Sequence, residues 1–471
     1  MTNALSRRTF LKTLSAGACA LASTRLTGAD TPASTRPNII FILADDLGYG
    51  DCGCYGSKDI KTPNIDLLAE NGMKFTDFYV NAPVCSPSRA GFLTGRNHNR
   101  CGAEVVFTPS NPKVGLPLNE ITLAQELKKA GYTTGIFGKW HLGYTEKRNP
   151  VNRGFDRFVG HLSGFLDYHT HVNPKLGRDW MDGLKKIEGK GYSTDLISKH
   201  SIEFVKANRG RPFFMFVSHQ APHSPYQGPS DKPQIEVVDG AVVKHKVKMD
   251  KDQRYAKYVE MTERMDKTIG DLLKVLRSEG LEKNTLVMFV SDNGPSWLAG
   301  TTGGLKGGKH SLWEGGIRVP AVACMPGRIR AGVVTDQPAT ILDMFPTFLQ
   351  LAGAKPTADT DLDGIDIGPL LLEGRDLPKR TLCWRYRGAV AVRGGKWKLM
   401  GRYDRKAQKG DFSGKHARLF DLKEDRAEAK NLFATNPEIV KKLAAAYDAW
   451  EEGIARDKRR RARTARALDE S

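Results

Sequence analysis

The chain has 471 residues, 40% hydrophobic and 27% charged, with a formal net charge of +19. That length and apolar content permit a large core with a smaller second domain and exclude a string of small modules. No apolar run is long enough to span a bilayer, and no fixed-period repeat is present.

The charge is unevenly placed. Residues 1–29 contain four basic and no acidic residues: Ser6-Arg7-Arg8-Thr9-Phe10-Leu11-Lys12 is a twin-arginine motif, followed by a mildly apolar run from Leu14 to Ala22 and small residues to Ala29. This segment reads as an export signal outside the fold and implies a periplasmic or extracellular destination. At the other end, Arg456–Arg466 carries seven basic residues and one acid, and residues 456–471 read as a solvated, disordered tail. The body between remains basic, which suits a polyanionic substrate. Nucleic acid is disfavoured because no basic stretch is interleaved with aromatics.

In chain order, Asn38–Leu43 (NIIFIL) is the first strand expected to be buried on both faces, and it runs into Ala44-Asp45-Asp46. Thr62-Pro63 opens a helix that stops at Gly72. The strand-like Lys74–Val80 leads to Cys85, where Ser86-Pro87 begins a helix through Gly91 to Gly95, so Cys85 falls at a helix N-terminus suited to an anion. A further helix spans Thr122 to Gly131. The loop Asp167-Tyr168-His169-Thr170-His171 can be read as lining a substrate entrance or as structural. Pro212–Val217 (PFFMFV) and Thr285–Val290 (TLVMFV) are two more buried strands, the latter ending in Ser291-Asp292-Asn293-Gly294. Between them lie a surface excursion or hairpin, Pro229–Lys251, and an amphipathic helix, Tyr255 to Leu276.

Past about residue 375 short alternating segments take over: Thr381–Tyr386, Ala389–Arg393, Trp397–Met400 and Arg418–Asp421, then a helix near Pro437–Glu452. The expected architecture is α/β: a catalytic domain at 36–375 with a mostly parallel sheet between helices, and a subdomain at 376–455 with an antiparallel sheet and one helix.

Ligands of open α/β sheets collect at the carboxyl ends of strands. Asp45, Asp46, Asp292 and Asn293 all fall there, and their oxygen donors suit a hard cation such as Ca²⁺ better than zinc. Six cysteines follow the leader, an even number that permits disulfides without pairing them. Cys52-Gly53-Cys54 lacks zinc-knuckle spacing.

Cys85-Ser86-Pro87-Ser88-Arg89 with Thr94-Gly95 resembles the signature of the type I, formylglycine-dependent sulfatases. Gly138-Lys139-Trp140-His141-Leu142-Gly143 is similar to the family's second signature. Asp45-Asp46, Ala221-Pro222-His223, Asp292-Asn293 and Gly308-Lys309 before Trp313-Glu314-Gly315-Gly316 follow in the family's order. The resemblance covers roughly residues 36–455, and the overall look is similar to the arylsulfatase and N-acetylgalactosamine-6-sulfatase branch. It implies an alkaline-phosphatase-like sandwich and a Ca²⁺ ion held by Asp45, Asp46, Asp292, Asn293 and the modified Cys85. It also implies conversion of Cys85 by a formylglycine-generating enzyme to 3-oxoalanine, whose hydrate attacks sulfur. Arg89, Lys139 and Lys309 would then neutralise the sulfuryl group, with Lys309 preferred over Lys306 for its spacing to Glu314. His223 would protonate the leaving alkoxide, and His141 would assist the diol and the elimination of sulfate. The implied substrates are sulfated carbohydrates, with aryl sulfates as a side reaction. A phosphate or phosphonate ester hydrolase and a non-catalytic sulfated-glycan-binding protein are the alternatives.

Overall fold

The computed structural model describes residues 36–357 and 361–469, so the leader assigned to residues 1–29 lies outside the described residues. A ten-stranded sheet organises the protein. Its five central strands, in spatial order Thr285–Ser291, Asn38–Ala44, Phe213–Ser218, Thr133–Lys139 and Arg157–His161, are all parallel. Short strands run antiparallel to this centre on both sides, Ala321–Cys324 against Thr285–Ser291 and Met181–Asp182 against Arg157–His161.

The three apolar runs become strands because both of their faces are covered. Ile39, Phe41 and Leu43 enter a core shared with helices Cys85–Thr94, Leu123–Lys129 and Met344–Leu351. Their neighbours Ile40, Ile42 and Ala44 point the other way, into a core with helices Pro63–Glu70, Ser193–Ala207 and Lys251–Ser278. Phe41 stacks on Phe92 at 4.0 Å between ring centroids, which fixes the Cys85–Thr94 helix over the first strand. Thr122 with Gln125 and Asp250 with Gln253 form reciprocal capping boxes at the starts of their helices. The surface excursion is a hairpin, Ile235–Val238 paired with Ala241–Lys244.

Lys74–Val80 is not one strand. It divides into Met73–Phe75 and Phe78–Tyr79 around Asp77, whose carboxylate turns inward to pair with Arg318 and, at 2.6 Å, with Arg393. From Arg36 onward the chain forms one unit, so the division expected near residue 375 is a change of architecture within a continuous body. The C-terminal sheet comprises Thr381–Tyr386, Ala389–Gly394 and Trp397–Asp404, with Lys409–Asp411 and Arg418–Asp421 both paired to the third of these. One face packs Val390, Val392, Leu399 and Leu419 on Leu443 and Tyr447 of the terminal helix. The opposite face sends Trp384, Tyr386, Ala391 and Met400 into the main core.

That terminal helix, Pro437–Asp469, does not stop near Glu452, and the tail expected to be disordered from residue 456 forms its last turns. Arginine and alanine, which dominate the tail, are among the strongest helix formers. Asp457 also ties the helix down, 2.9 Å from Arg96 and 2.6 Å from Arg100. Cys52, Cys54, Cys85, Cys324 and Cys383 carry free thiols.

A buried ion network joins the C-terminal sheet to the main body. Glu314 accepts from the Tyr79 hydroxyl at 2.6 Å, from Arg318 at 3.2 Å and from Lys398 at 2.8 Å. Lys398 also lies 2.9 Å from Glu428, and the other Glu428 oxygen accepts the Glu314 N–H at 2.7 Å. Removing the one cation that serves both carboxylates leaves them buried and mutually repelling. Lys398→Ala should therefore cost roughly 3–5 kcal/mol of stability, seen as a lower denaturation midpoint. An unchanged midpoint would show that the network contributes nothing to holding the sheet.

Candidate active site

Four of the five central parallel strands deliver charged or hydrogen-bonding residues to one place at their carboxyl ends. Asn38–Ala44 is followed by Asp45 and Asp46, Thr285–Ser291 by Asp292 and Asn293, Thr133–Lys139 ends in Lys139 before His141, and Phe213–Ser218 leads to His223. Backbone bonds lace these ends together: Asp292 N–H donates to Ala44 O at 3.0 Å and Asp45 N–H to Ala221 O at 3.1 Å. Asp46 and His141 adopt left-handed backbone conformations, φ 65° and 59°, which are uncommon for non-glycine residues. Gly294 permits the closest approach, because a Cβ there would sit 1.8 Å from the Gly315 carbonyl oxygen. It thereby presses the Asp292-Asn293 turn against the short helix Glu314–Ile317 that follows the Lys309 loop.

Cys85 is buried as the first residue of helix Cys85–Thr94, and no side chain caps that helix end. One turn on, Arg89 is wholly enclosed. Its Nε donates to Asp292 at 3.0 Å, and its Nη1 reaches the Ser218 hydroxyl at 2.5 Å and the Lys139 carbonyl at 3.3 Å. The Lys139 ammonium pairs with Asp45, and Lys309 with Asp46 at 2.7 Å. Asn293 Nδ2 donates to Asp46 at 2.7 Å, which orients that carboxylate. Every residue named from sequence for this site except His141 is thus tied into one charged network or its metal-type cluster. His141 sits beside it, its Nε2 3.0 Å from Phe107 O and its buried Nδ1 without a hydrogen-bond partner. A Cβ on Gly164 would stand 2.5 Å from the His141 ring, so glycine leaves room for the imidazole.

Oxygen atoms at the centre are left over. Asp45 Oδ1 and Asn293 Oδ1 are buried without hydrogen-bond partners, an arrangement that costs free energy unless a further group is bound. Ligand-type atoms of Asp45, Asp46, Cys85 and His223 all lie within 4.8 Å of one another. Three carboxylates and a carboxamide fit a hard divalent cation, and these residues are the ones that would hold it. Electrostatics agree. Burial together with the neighbouring Asp45 charge pushes Asp292 up to about 7 despite Arg89 and Lys139. Burial also favours a neutral Asp46, but Lys309 and then His223 overrule it and hold that carboxyl well below its usual range.

The Cys85 thiol is pushed up by burial, against the lysines at 139 and 309, so it carries its proton at neutral pH. An unmodified thiol there is a poor nucleophile. Burial, reinforced by Lys309, lowers His223 to about 3, and burial, Lys139 and Arg89 depress His141, so both imidazoles are neutral. His223 Nδ1 lies 2.6 Å from the Ser224 carbonyl and therefore donates to it. That leaves Nε2 facing the site, 3.7 Å from Asp46.

Lys306 lies elsewhere: its ammonium sits over the Trp313 ring at 4.2 Å and donates to Glu428 O at 3.3 Å. The loop through Tyr168 makes contacts with its surroundings. The buried Tyr168 hydroxyl donates to the His223 carbonyl at 2.8 Å, His169 contacts Gly228 O at 3.1 Å, and His171 packs on Trp180 at 4.5 Å. Sequence reasoning missed Ser218, which also donates to Lys139 O at 2.6 Å and so links Arg89 to the second signature. Its place at the end of a buried parallel strand was the available signal.

Residues 37–354 match the family model Sulfatase. The chain is 36% identical to N-acetylgalactosamine-6-sulfatase of Rattus norvegicus over 387 residues, covering 77% of this chain and 71% of the relative. It is also 36% identical to arylsulfatase A of Homo sapiens over 403 residues, 77% of this chain and 74% of the relative. Among solved structures, Ps i-CgsB in complex with k-i-k-neocarrahexaose superposes with a TM-score of 0.78 at 31% identity, covering 88% of this chain and 93% of that one. A chain that carries these charged strand ends and matches the family over most of its length belongs to the sulfatases and is a sulfuric ester hydrolase.

Proposed function

We propose that the protein hydrolyses sulfate monoesters of sulfated carbohydrates, using a formylglycine made from Cys85 and a Ca²⁺ ion held by Asp45, Asp46, Asp292 and Asn293. The observation that carries this reading is the meeting of buried Cys85, at an uncapped helix N-terminus, with partnerless oxygens and three cations. When bound, the cation would polarise the sulfate oxygens, and the hydrated aldehyde would supply the oxygen nucleophile. Arg89, Lys139 and Lys309 converge from three elements on the space beside Cys85 and would oppose the charge of the sulfuryl group. Both lysines already pair with carboxylates, so they are positioned before substrate arrives.

His223 is neutral at rest because of burial and Lys309. An anionic ester drawn against Lys309 would offset that cation and favour protonation at Nε2, the nitrogen free to serve the leaving oxygen. Substrate sugars follow from the relatives' names, N-acetylgalactosamine-6-sulfatase and a neocarrahexaose complex, and from the basic body of the chain. The Ser6–Lys12 twin-arginine sequence supports action outside the cytoplasm.

The test is sulfate against phosphate release from matched esters of a sugar and of 4-nitrophenol, in wild type and His223→Ala. Wild type should release sulfate in preference to phosphate. His223→Ala should lower kcat about 10²- to 10⁴-fold on the sugar ester and much less on the nitrophenyl ester, whose leaving group needs no proton. Preferential phosphate release would put the phosphoesterase reading first, and equal losses on both esters would remove His223 from the leaving-group role.

A further inference from the structure

The protein has seven tryptophans, and six of them are buried or partly buried. Trp297 alone is 85% exposed, the most exposed large hydrophobic side chain among the described residues. Scattered exposed hydrophobics need no explanation, but this one has a specific address. It lies four residues after Asn293, on the loop that leaves the carboxyl end of strand Thr285–Ser291. Two residues before it, the Pro295 carbonyl accepts the Lys309 N–H at 2.9 Å. Trp297 is therefore within about 7 Å of chain from a direct bond to the Lys309 backbone.

The loop is also fixed in place. The Ser296 hydroxyl accepts from Leu298 N–H at 3.3 Å, and the Ser296 carbonyl accepts from Ala299 N–H at 3.2 Å. Ala299 is buried and Leu298 packs against the second core, so the residues after the indole anchor it inward while the ring itself faces solvent. A hydrogen-bonded turn that exposes a large flat amphipathic side chain close in sequence to the charged site is suited to a partly apolar, partly polar surface. A pyranose ring offers such a surface, with C–H groups on its faces and hydroxyls at its edge.

We infer that Trp297 is a specificity-determining platform on the rim of the site, stacking a sugar unit of the sulfated carbohydrate. The inference rests on the carbohydrate reading given above. The indole takes no part in the bond cleavage; it selects glycan esters over small aryl esters by adding contact beyond the sulfate group.

The test compares kcat/KM for a sulfated chondroitin tetrasaccharide and for 4-nitrophenyl sulfate in wild type, Trp297→Ala and Trp297→Phe. The ratio of the two efficiencies should fall about 3- to 10-fold in Trp297→Ala, mainly through KM of the tetrasaccharide, and less in Trp297→Phe. A second measurement reads binding rather than turnover. In the non-turnover Cys85→Ala protein, the tetrasaccharide should protect the exposed tryptophan emission from iodide quenching, and Trp297→Ala should abolish that protectable component. Wild type that takes both esters, with an efficiency ratio unmoved by Trp297→Ala and no protection, would overturn the platform alone. Wild type that cleaves the aryl ester but neither cleaves nor binds the tetrasaccharide would overturn the carbohydrate reading and the platform with it.

Discussion

Cys85→Ala protein will fold and lose sulfate release by on the order of 10⁴- to 10⁶-fold, the scale at which removing a covalent nucleophile is felt. Folding should survive because the side chain is small, sits at the first position of its helix and makes no cap. Alanine at that position keeps the helix geometry, and the helix itself is held by Phe92 stacked on Phe41. The more informative comparison is the wild-type sequence produced without a formylglycine-generating enzyme. Burial holds the thiol above its ordinary pKa even with Lys139 and Lys309 nearby, so the unmodified protein has almost no thiolate at neutral pH. It should be as inert as Cys85→Ala, with the same melting temperature. Full activity in protein whose Cys85 peptide has the mass of an intact cysteine would defeat the modification reading while leaving the reaction class standing.

Much of this was legible in the sequence because the informative residues sit next to strong local signals. NIIFIL and TLVMFV are dominated by apolar residues, and the Asp45-Asp46 and Asp292-Asn293 pairs that follow them fall at strand ends. Cys85 through Gly95 is a contiguous motif that begins and ends one helix, with Gly95 closing it in a left-handed conformation at φ 64°. What was illegible depends on pairing across long sequence separations. Glu314 meets Lys398 and Glu428, residues 84 and 114 positions away, and nothing in the local pattern of Trp397–Met400 announces a buried lysine. Ser218 looks like any strand-end serine until Arg89 and the Lys139 carbonyl are placed on either side of it. The terminal helix runs past its expected end because a charge run reads as disorder from sequence, whereas Arg and Ala favour helix and Asp457 meets Arg96 and Arg100.

Chelation should affect both activity and stability, and the stability effect carries a sign that identifies Asp292. Stripping divalent cations should lower kcat on the order of 10³-fold or more, since it removes an electrostatic element worth at least one positioned donor, and Ca²⁺ should restore it. In the metal-free protein, burial and Asp45 raise Asp292 to about 7, above the 3.8 of an ordinary aspartate. The folded state then binds a proton that the unfolded chain has released, so this group's contribution to stability falls as pH rises from about 4 through 7. Asp46 has the opposite sign but a different window: its pKa is depressed, so its stabilisation is lost only below the usual carboxylate range. Buried histidines such as His98 and His219, depressed chiefly by burial to about 4 and about 3, destabilise the fold as pH falls through 6.5. They do so with or without the cation, so they cancel in a comparison at fixed pH. A bound Ca²⁺ must displace the Asp292 proton, which makes binding tighter as pH rises toward 7. The calcium-induced rise in melting temperature should therefore be larger at pH 7.5 than at pH 5. In Asp292→Asn the metal-free protein should gain stability at pH 7.5 relative to wild type, and the pH dependence of the calcium increment should flatten. A calcium increment independent of pH in wild type would mean that Asp292 is already ionised without the metal, and that Arg89 alone suffices to hold its charge.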